Sequence, residues 1–442
     1  MSAIVVVGGG LGGMAAAARL AKLGHQVTLV EADADLGGAL RTLEQDGFVW
    51  EGGPAATLLP AALRDLFRKS GRPLEAELKA DLEPVPIIRE HRFEDRTSVR
   101  LPGGSRAAQL HAFDELGAGL GRAWVEHVDA YGEVWEVLRR HYAEVPWDPA
   151  ARGSTPQELD RLFRDRETLH KRLRRRLRDD RLALVAGYDA TFGGHDLRNV
   201  PAWVGVTSYL EQCFGAWQVP GGMGRLADVL TGRLRTRKVE VLTSTTARDL
   251  VVESGRVVAV RTEHGTLDAD HAVVAIDPRR LPTLRPLVER TMPAVPPVVT
   301  HLGLDGPGPD QLRDVAHEVV IHADPMLVLR RGTGAPDGGS AWTVLARGRI
   351  AEDPVTALAR HGVDLREQVV TRLDLSPREQ VDRLHGSPFG VLWQGRGTVR
   401  RRLGPTTPIA GVHVAGAHGA PGAGVAFVTL SGALVAQAVG PA

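Results

Sequence analysis

The sequence predicts an α/β chain, and three observations carry that prediction. The apolar run Ala3–Val7 leads straight into Gly8, Gly10 and Gly13, the spacing G-x-G-x-x-G. Ala17 and Leu20 continue at helical spacing to Gly24, and Gln26–Val30 follows as a second strand-like run closed by Glu31. Far along the chain, Gly411–Ala415 reads as another strand, then a glycine-rich loop and the apolar helix Val425–Val439. Strand, glycine turn, helix and strand in this register make a Rossmann-type dinucleotide-binding domain, discontinuous in sequence, with a mixed α+β domain inserted into it.

Each part of the opening unit has a physical job. Gly8 permits a tight turn, Gly10 lets backbone approach a pyrophosphate, and Gly13 lets the helix pack close to the strand. Leu11 and Gly12 open that helix, whose free N–H groups and dipole favour phosphate. Glu31, with Ala32 beside it, is placed to accept hydrogen bonds from ribose hydroxyls. A membrane-spanning reading of Ala3–Leu23 fails on its glycines and on Arg19 and Lys22.

Composition narrows the classes. With 442 residues, 43% hydrophobic, the chain can bury a sizeable core in two or three domain-sized units. A net charge of +1 argues neither for nucleic acid nor for an acidic partner, and no nucleic-acid partner is expected. The single cysteine, Cys213, excludes an internal disulfide and a paired-cysteine redox centre. No basic stretch precedes the first strand, so a cytoplasmic protein without a secretory signal is expected.

Between the two glycine-rich ends, residues 43–79 read as a loop followed by the helix Ala61–Ser70, and Pro84–Leu101 reads as β-structure turning at Pro102-Gly103-Gly104. Trp124, Val128, Tyr131, Trp135, Leu138 and Tyr142 recur every three or four residues, which predicts one amphipathic helix over Arg122–Val145. That aromatic stripe fits either core packing or the lining of a substrate channel. Helical segments continue over Pro156–Leu184, including the basic run 170–178 with Leu169, Leu173 and Leu177 as an apolar ridge. The run fits a solvated face or a peripheral contact with anionic lipid. Val239–Thr245 reads as a strand, Asp249–Thr262 as a hairpin, and His271–Ile276 as a strand returning to the nucleotide domain.

The doublet Gly37-Gly38, continuing through Ala39, Leu40, Arg41 and Thr42 to Gly53-Pro54, resembles the segment that follows the ribose acid in two-dinucleotide-binding-domain flavoproteins, and in the phytoene desaturase family in particular. Phe214–Gly224 and the stretch from Gly416 and Ala417 through His418 to Gly424-Val425, with Ser431-Gly432 beyond, are similar to two further segments of that family. The resemblance implies FAD as cofactor and an amine-oxidase-like fold. It also implies an adenine contact from Val239-Glu240, and division of the chain into FAD-binding parts 1–79, 218–281 and 396–442 with substrate-domain parts 80–217 and 282–395. The chain departs from the family where Gly-Gly-Arg becomes Gly37-Gly38-Ala39, and where no Gly-Asp stands near Gly416.

FAD would carry the redox chemistry, leaving the protein to bind, orient and shield. The resemblance implies desaturation of an apolar isoprenoid or polyene by hydride transfer to flavin N5. Redox-neutral isomerisation, saturation through reduced FAD, an amine-oxidase-like reaction and a flavin-free lipid escort are the alternatives. His418 is the candidate acid, base or flavin hydrogen-bond partner, and equally fits a bracing role in its loop. Trp217, Phe389, Trp393 and Phe427 are candidate substrate-pocket residues that fit core packing as well. The sixteen histidines show no metal-ligand spacing, so no metal is expected. Oligomeric state is open.

Overall fold

A computed structural model describes residues 1–148, 155–312 and 314–442. Five parallel strands form the nucleotide-domain sheet in the order Val412–Val414, His271–Val274, Ala3–Val7, Gln26–Val30 and Glu240–Leu242. The central strand Ala3–Val7 is apolar throughout because both its faces are covered. Ile4 and Val6 face a core made with the helices Leu11–Lys22, Pro60–Ser70, Met223–Thr236 and Val425–Val439. Val5 and Val7 face the other way, onto the three-stranded antiparallel sheet built from Ala247–Glu253, Arg256–Thr262 and Gly265–Asp268.

A second sheet has seven strands in the order Val369–Leu375, Val298–Leu304, Ser340–Arg347, Met326–Arg331, Glu318–Ile321, Ile87–Arg92 and Ser98–Pro102. Its pairs are antiparallel except for Glu318–Ile321 with Ile87–Arg92. Helices between Arg106 and Phe214 pack as a separate layer around Trp124, Tyr131, Phe163, Leu173 and Trp203. Among the described residues no helix is long and apolar enough to cross a membrane.

Three sequence expectations are corrected. The helix predicted over Arg122–Val145 is three pieces: Leu120–Asp129, Gly132–Leu138 and a π-helical turn at Arg139–Ala143. The chain tightens where the Tyr131 N–H reaches back to Val128 O at 2.9 Å, while Tyr131 O–H bonds to Ala202 O at 3.2 Å. Each piece buries one face, so the three-and-four spacing survives the breaks. Residues 43–51 are not loop but part of a hairpin, Thr42–Gln45 with Phe48–Glu51, turning at Asp46-Gly47, both with positive φ. The strand expected over Val239–Thr245 is confined to Glu240–Leu242.

Candidate active site

The carboxyl ends of the parallel strands open into a cavity of about 830 Å³, and every glycine expected to bind the cofactor except Gly13 lines it. Gly8 turns the chain at φ +104°, and the space beside Gly10 is open, so backbone there is free to meet a ligand. Gly13 does not line the cavity; a side chain on it would collide with the Gly8 carbonyl, so its job is helix–strand packing. The helix Leu11–Lys22 starts at Gly10 with no side-chain cap and no acid in its first turn. The helix Val425–Val439 starts at Gly424 in the same way. Two uncapped helix N-termini therefore face one cavity, each offering unsatisfied N–H groups and positive dipole ends to an anionic ligand.

Three other segments complete this cradle. Gly37 N–H bonds to Gly9 O at 2.8 Å, which brings Gly38, Ala39, Leu40 and Arg41 to the cavity wall with Gly53 and Pro54. Arg41 forms an ion pair with Asp33, which also lies 3.3 Å from His385 Nε2. Gly416 and Ala417 arrive from the strand Val412–Val414, and Gly416 N–H donates to Ser431 Oγ at 2.8 Å. Ser431 in turn donates to Val428 O at 2.6 Å, so the loop is pinned to the helix it precedes.

Glu31 carries a bracing role beside the ribose contact expected of it. Its carboxylate reaches the cavity beside Ala32, yet accepts from Gly9 N–H at 2.6 Å and Asp33 N–H at 2.9 Å. It braces the glycine loop, and a carboxylate keeps acceptor capacity beyond two bonds. Val239 and Glu240 lie outside the cavity. Val239 is buried in the helix-side core, and Glu240 accepts from Thr28 Oγ1 at 2.8 Å. Their place at the wall is taken by Thr245, Thr246, Ala247 and Arg248. The polar run Thr243–Thr246 at the carboxyl end of that strand was the available signal.

Beyond the cradle the cavity turns aromatic. Trp135, Leu138, Tyr142, Tyr188, Phe192, Trp203, Phe389, Trp393 and Phe427 all line it. The stripe predicted from Trp124 to Tyr142 thus divides its work: its first half is core, and its second half is cavity wall. Trp393 packs edge-on to Trp203 at 5.3 Å and lies under the Arg402 guanidinium at 4.4 Å. Trp217 does not join them: its backbone pairs with Thr57 and Pro84, and its Nε1–H donates to Phe214 O at 2.8 Å. Fixed on that short strand, it is held away from the lining.

His418 lines the cavity with both ring nitrogens lacking a hydrogen-bond partner, its Nδ1 3.7 Å from Asp277 Oδ1. Burial pushes its pKa down and outweighs the opposing pull of Asp277, so the imidazole is neutral near pH 7. The Ser387 backbone is close enough to favour the charged ring slightly, yet neither ring nitrogen has a well-aligned protein partner, so a bound molecule can supply one. The cradle of glycines, the two uncapped helices and these orphaned nitrogens fit a flavin dinucleotide. Bound there, it would supply two-electron redox chemistry. Glu31, Asp33 and His385 come close enough together to resemble a cation site, but Arg41 already neutralises Asp33.

Residues 11–440 match the family of flavin containing amine oxidoreductases. The chain is 30% identical to an all-trans-zeta-carotene desaturase of Myxococcus xanthus, over 62% of this chain and 52% of that one, about half the relative's length. It is 27% identical to a hydroxyneurosporene desaturase of Cereibacter sphaeroides and 24% to a 4,4'-diaponeurosporene oxygenase of Staphylococcus aureus, each covering 99% of this chain and 97% of the relative. A putrescine oxidase variant superposes with a TM-score of 0.71 at 17% identity, covering 99% of this chain and 98% of that one. Cyclohexylamine oxidase from Brevibacterium oxydans gives 0.66 at 16%, with the same coverage. These two establish the fold, the amine-oxidase-like FAD-binding arrangement. The chain belongs to the flavin containing amine oxidoreductase family and is an FAD-dependent oxidoreductase.

Proposed function

We propose that the enzyme desaturates an apolar polyene of the carotenoid class, passing a hydride to flavin N5. The observation that carries this reading is the aromatic arm of the cavity, continuous with the nucleotide cradle and walled by Trp135, Trp203, Trp393 and Phe427. Relatives named for desaturation and oxygenation of carotenoids support it. Such a wall excludes water and stacks on a conjugated chain, which holds the reacting carbon against the cofactor.

Anaerobic mixing of the purified holoprotein with candidate polyenes tests the reading. Bleaching of the flavin with a product lighter by two hydrogens supports desaturation. A product of unchanged mass formed only with reduced flavin favours isomerisation instead.

The substrate would be drawn from a membrane, and the basic helix supports a peripheral contact. Leu169, Leu173 and Leu177 turn inward to the core, leaving Lys171, Arg174, Arg175 and Arg178 exposed. Arg172 and Arg175 share Glu167, at 2.7 Å and 2.9 Å, so the free charge sits on the others. The contact is electrostatic rather than inserted, in a protein that works from the cytoplasm. Co-sedimentation with phosphatidylserine vesicles, lost on raising the salt and absent with phosphatidylcholine, is the expected result.

A further inference from the structure

The helix Asp180–Phe192 runs along the cavity and supplies Tyr188, Asp189 and Phe192 to its wall. Two other carboxylates in this part of the wall are already satisfied. Glu211 pairs with Arg89, while Glu318 lies 2.6 Å from Arg330 and accepts from Tyr188 O–H at 2.9 Å. Asp189 has no such partner: among the described residues no Arg, Lys or His nitrogen stands within 4 Å of it. It accepts one hydrogen bond, from Thr207 Oγ1 at 3.3 Å. The side chain is exposed although protein surrounds it, so the surface it exposes is cavity surface. Burial accordingly pushes its carboxyl pKa up, against the pull of Arg89.

A carboxyl that lines the cavity with one oxygen unpaired by protein is open to a donor carried by a bound molecule. The rest of the cavity says which kind of donor. Arg402 lines it with no carboxylate partner among the described residues, and Arg89 and Arg330 stand in the same wall as Asp189. Arg89 and Arg330 are offset by Glu211 and Glu318, but the uncompensated charge of Arg402 disfavours a cation in the cavity, a penalty that a neutral O–H does not carry. Val206, Phe192 and Leu345 line the same cavity, are apolar and suit a hydrocarbon chain behind that O–H.

We infer that Asp189 and Thr207 receive a hydroxyl group carried on an otherwise apolar substrate, which makes them specificity-determining residues of the site. Thr207 holds one carboxylate oxygen, and the substrate hydroxyl donates to the other. The assignment rests on the polyene reading above and deepens it by naming an oxygenated substrate.

The test titrates holoprotein in detergent with an acyclic polyene hydrocarbon and with its hydroxylated counterpart, reading quenching of tryptophan fluorescence. Wild type is expected to bind the hydroxylated compound about tenfold or more tightly than the hydrocarbon. Asp189→Leu abolishes the difference while retaining hydrocarbon binding. Should the leucine variant fail to fold, Asp189→Asn keeps the shape with a weaker, uncharged acceptor, and its preference falls below that of wild type. Equal binding of both compounds by wild type, or an unchanged preference in the variants, overturns the assignment and leaves the desaturase reading standing. Binding of neither compound overturns both.

Discussion

Gly12 and Gly416 meet backbone to backbone: a Cβ on Gly12 would lie 2.7 Å from both the nitrogen and the Cα of Gly416. Residues four hundred positions apart in sequence are thus in contact where the cofactor cradle closes. Gly12→Val should push the C-terminal loop off the first helix. Flavin absorbance per mole of purified protein is expected to fall by about tenfold or more, since the clash exceeds what an overpacked site absorbs. Near-native flavin content would contradict the close contact.

Ser431→Ala removes the acceptor of the Gly416 N–H. A buried donor left unpaired costs about 1–3 kcal/mol, so the melting temperature should drop by several degrees. Flavin dissociation should also quicken, because the loop loses its pin to the helix Val425–Val439.

Glu31→Ala unpairs the Gly9 and Asp33 amides at once. The affinity for FAD should fall by about tenfold or more, with Glu31→Gln, which retains one acceptor, in between. Titration of apoprotein with FAD, followed by flavin fluorescence, checks the order of the three proteins.

Trp393→Ala should leave flavin content near that of wild type and raise KM for the polyene, since the side chain contributes wall rather than cradle. It also strips the ring from beneath Arg402 and from beside Trp203, so a loss of about 3–5 kcal/mol in stability accompanies it. A steady-state comparison of KM and kcat, with flavin-to-protein ratio measured on the same sample, separates the effects.

Acid should weaken the fold within a defined window. Burial pushes His127, His195, His301, His322 and His413 down to about 4. In the unfolded chain they titrate near the ordinary value of about 6.5. Between those values the unfolded chain binds protons that the folded one refuses, so stability falls as pH drops from about 6.5 toward 4. Thermal melts at pH 7 and pH 5 should differ by on the order of ten degrees; coincident melts would contradict neutral burial.

What the chain discloses by itself depends on whether a residue's neighbours are local. Ala3–Val7, Gln26–Val30 and Val425–Val439 agree with the structure to the residue, because apolar runs ended by a glycine or an acid need little distant information. The hairpin at Asp46-Gly47 carries its own turn signal and is legible in the chain, although its surroundings look like loop. The breaks at Tyr131 and Arg139 are not legible, since they go with distant contacts, to Ala202 and to the helix Val425–Val439. Val239 and Glu240 sit in the expected strand region but a few residues short of the wall, a shift that only strand length reveals. Asp189 resembles any solvent-facing helical acid; its position matters only because the helix lies beside a cavity formed by segments far from it.

The pairing of Gly416 with Gly12 also sets an order of events in synthesis. The first helix can emerge early, but the second half of the cradle, its loop and the helix ending at Val439 come only after some four hundred further residues have left the ribosome. Until then the glycine turn is one jaw of a clamp with nothing to close against, and its apolar helix lacks the crossing partner that Gly432 admits against Ala15 and Ala16. Retained flavin is therefore a mark that both jaws have been made, and fragments released before Gly416 would be colourless.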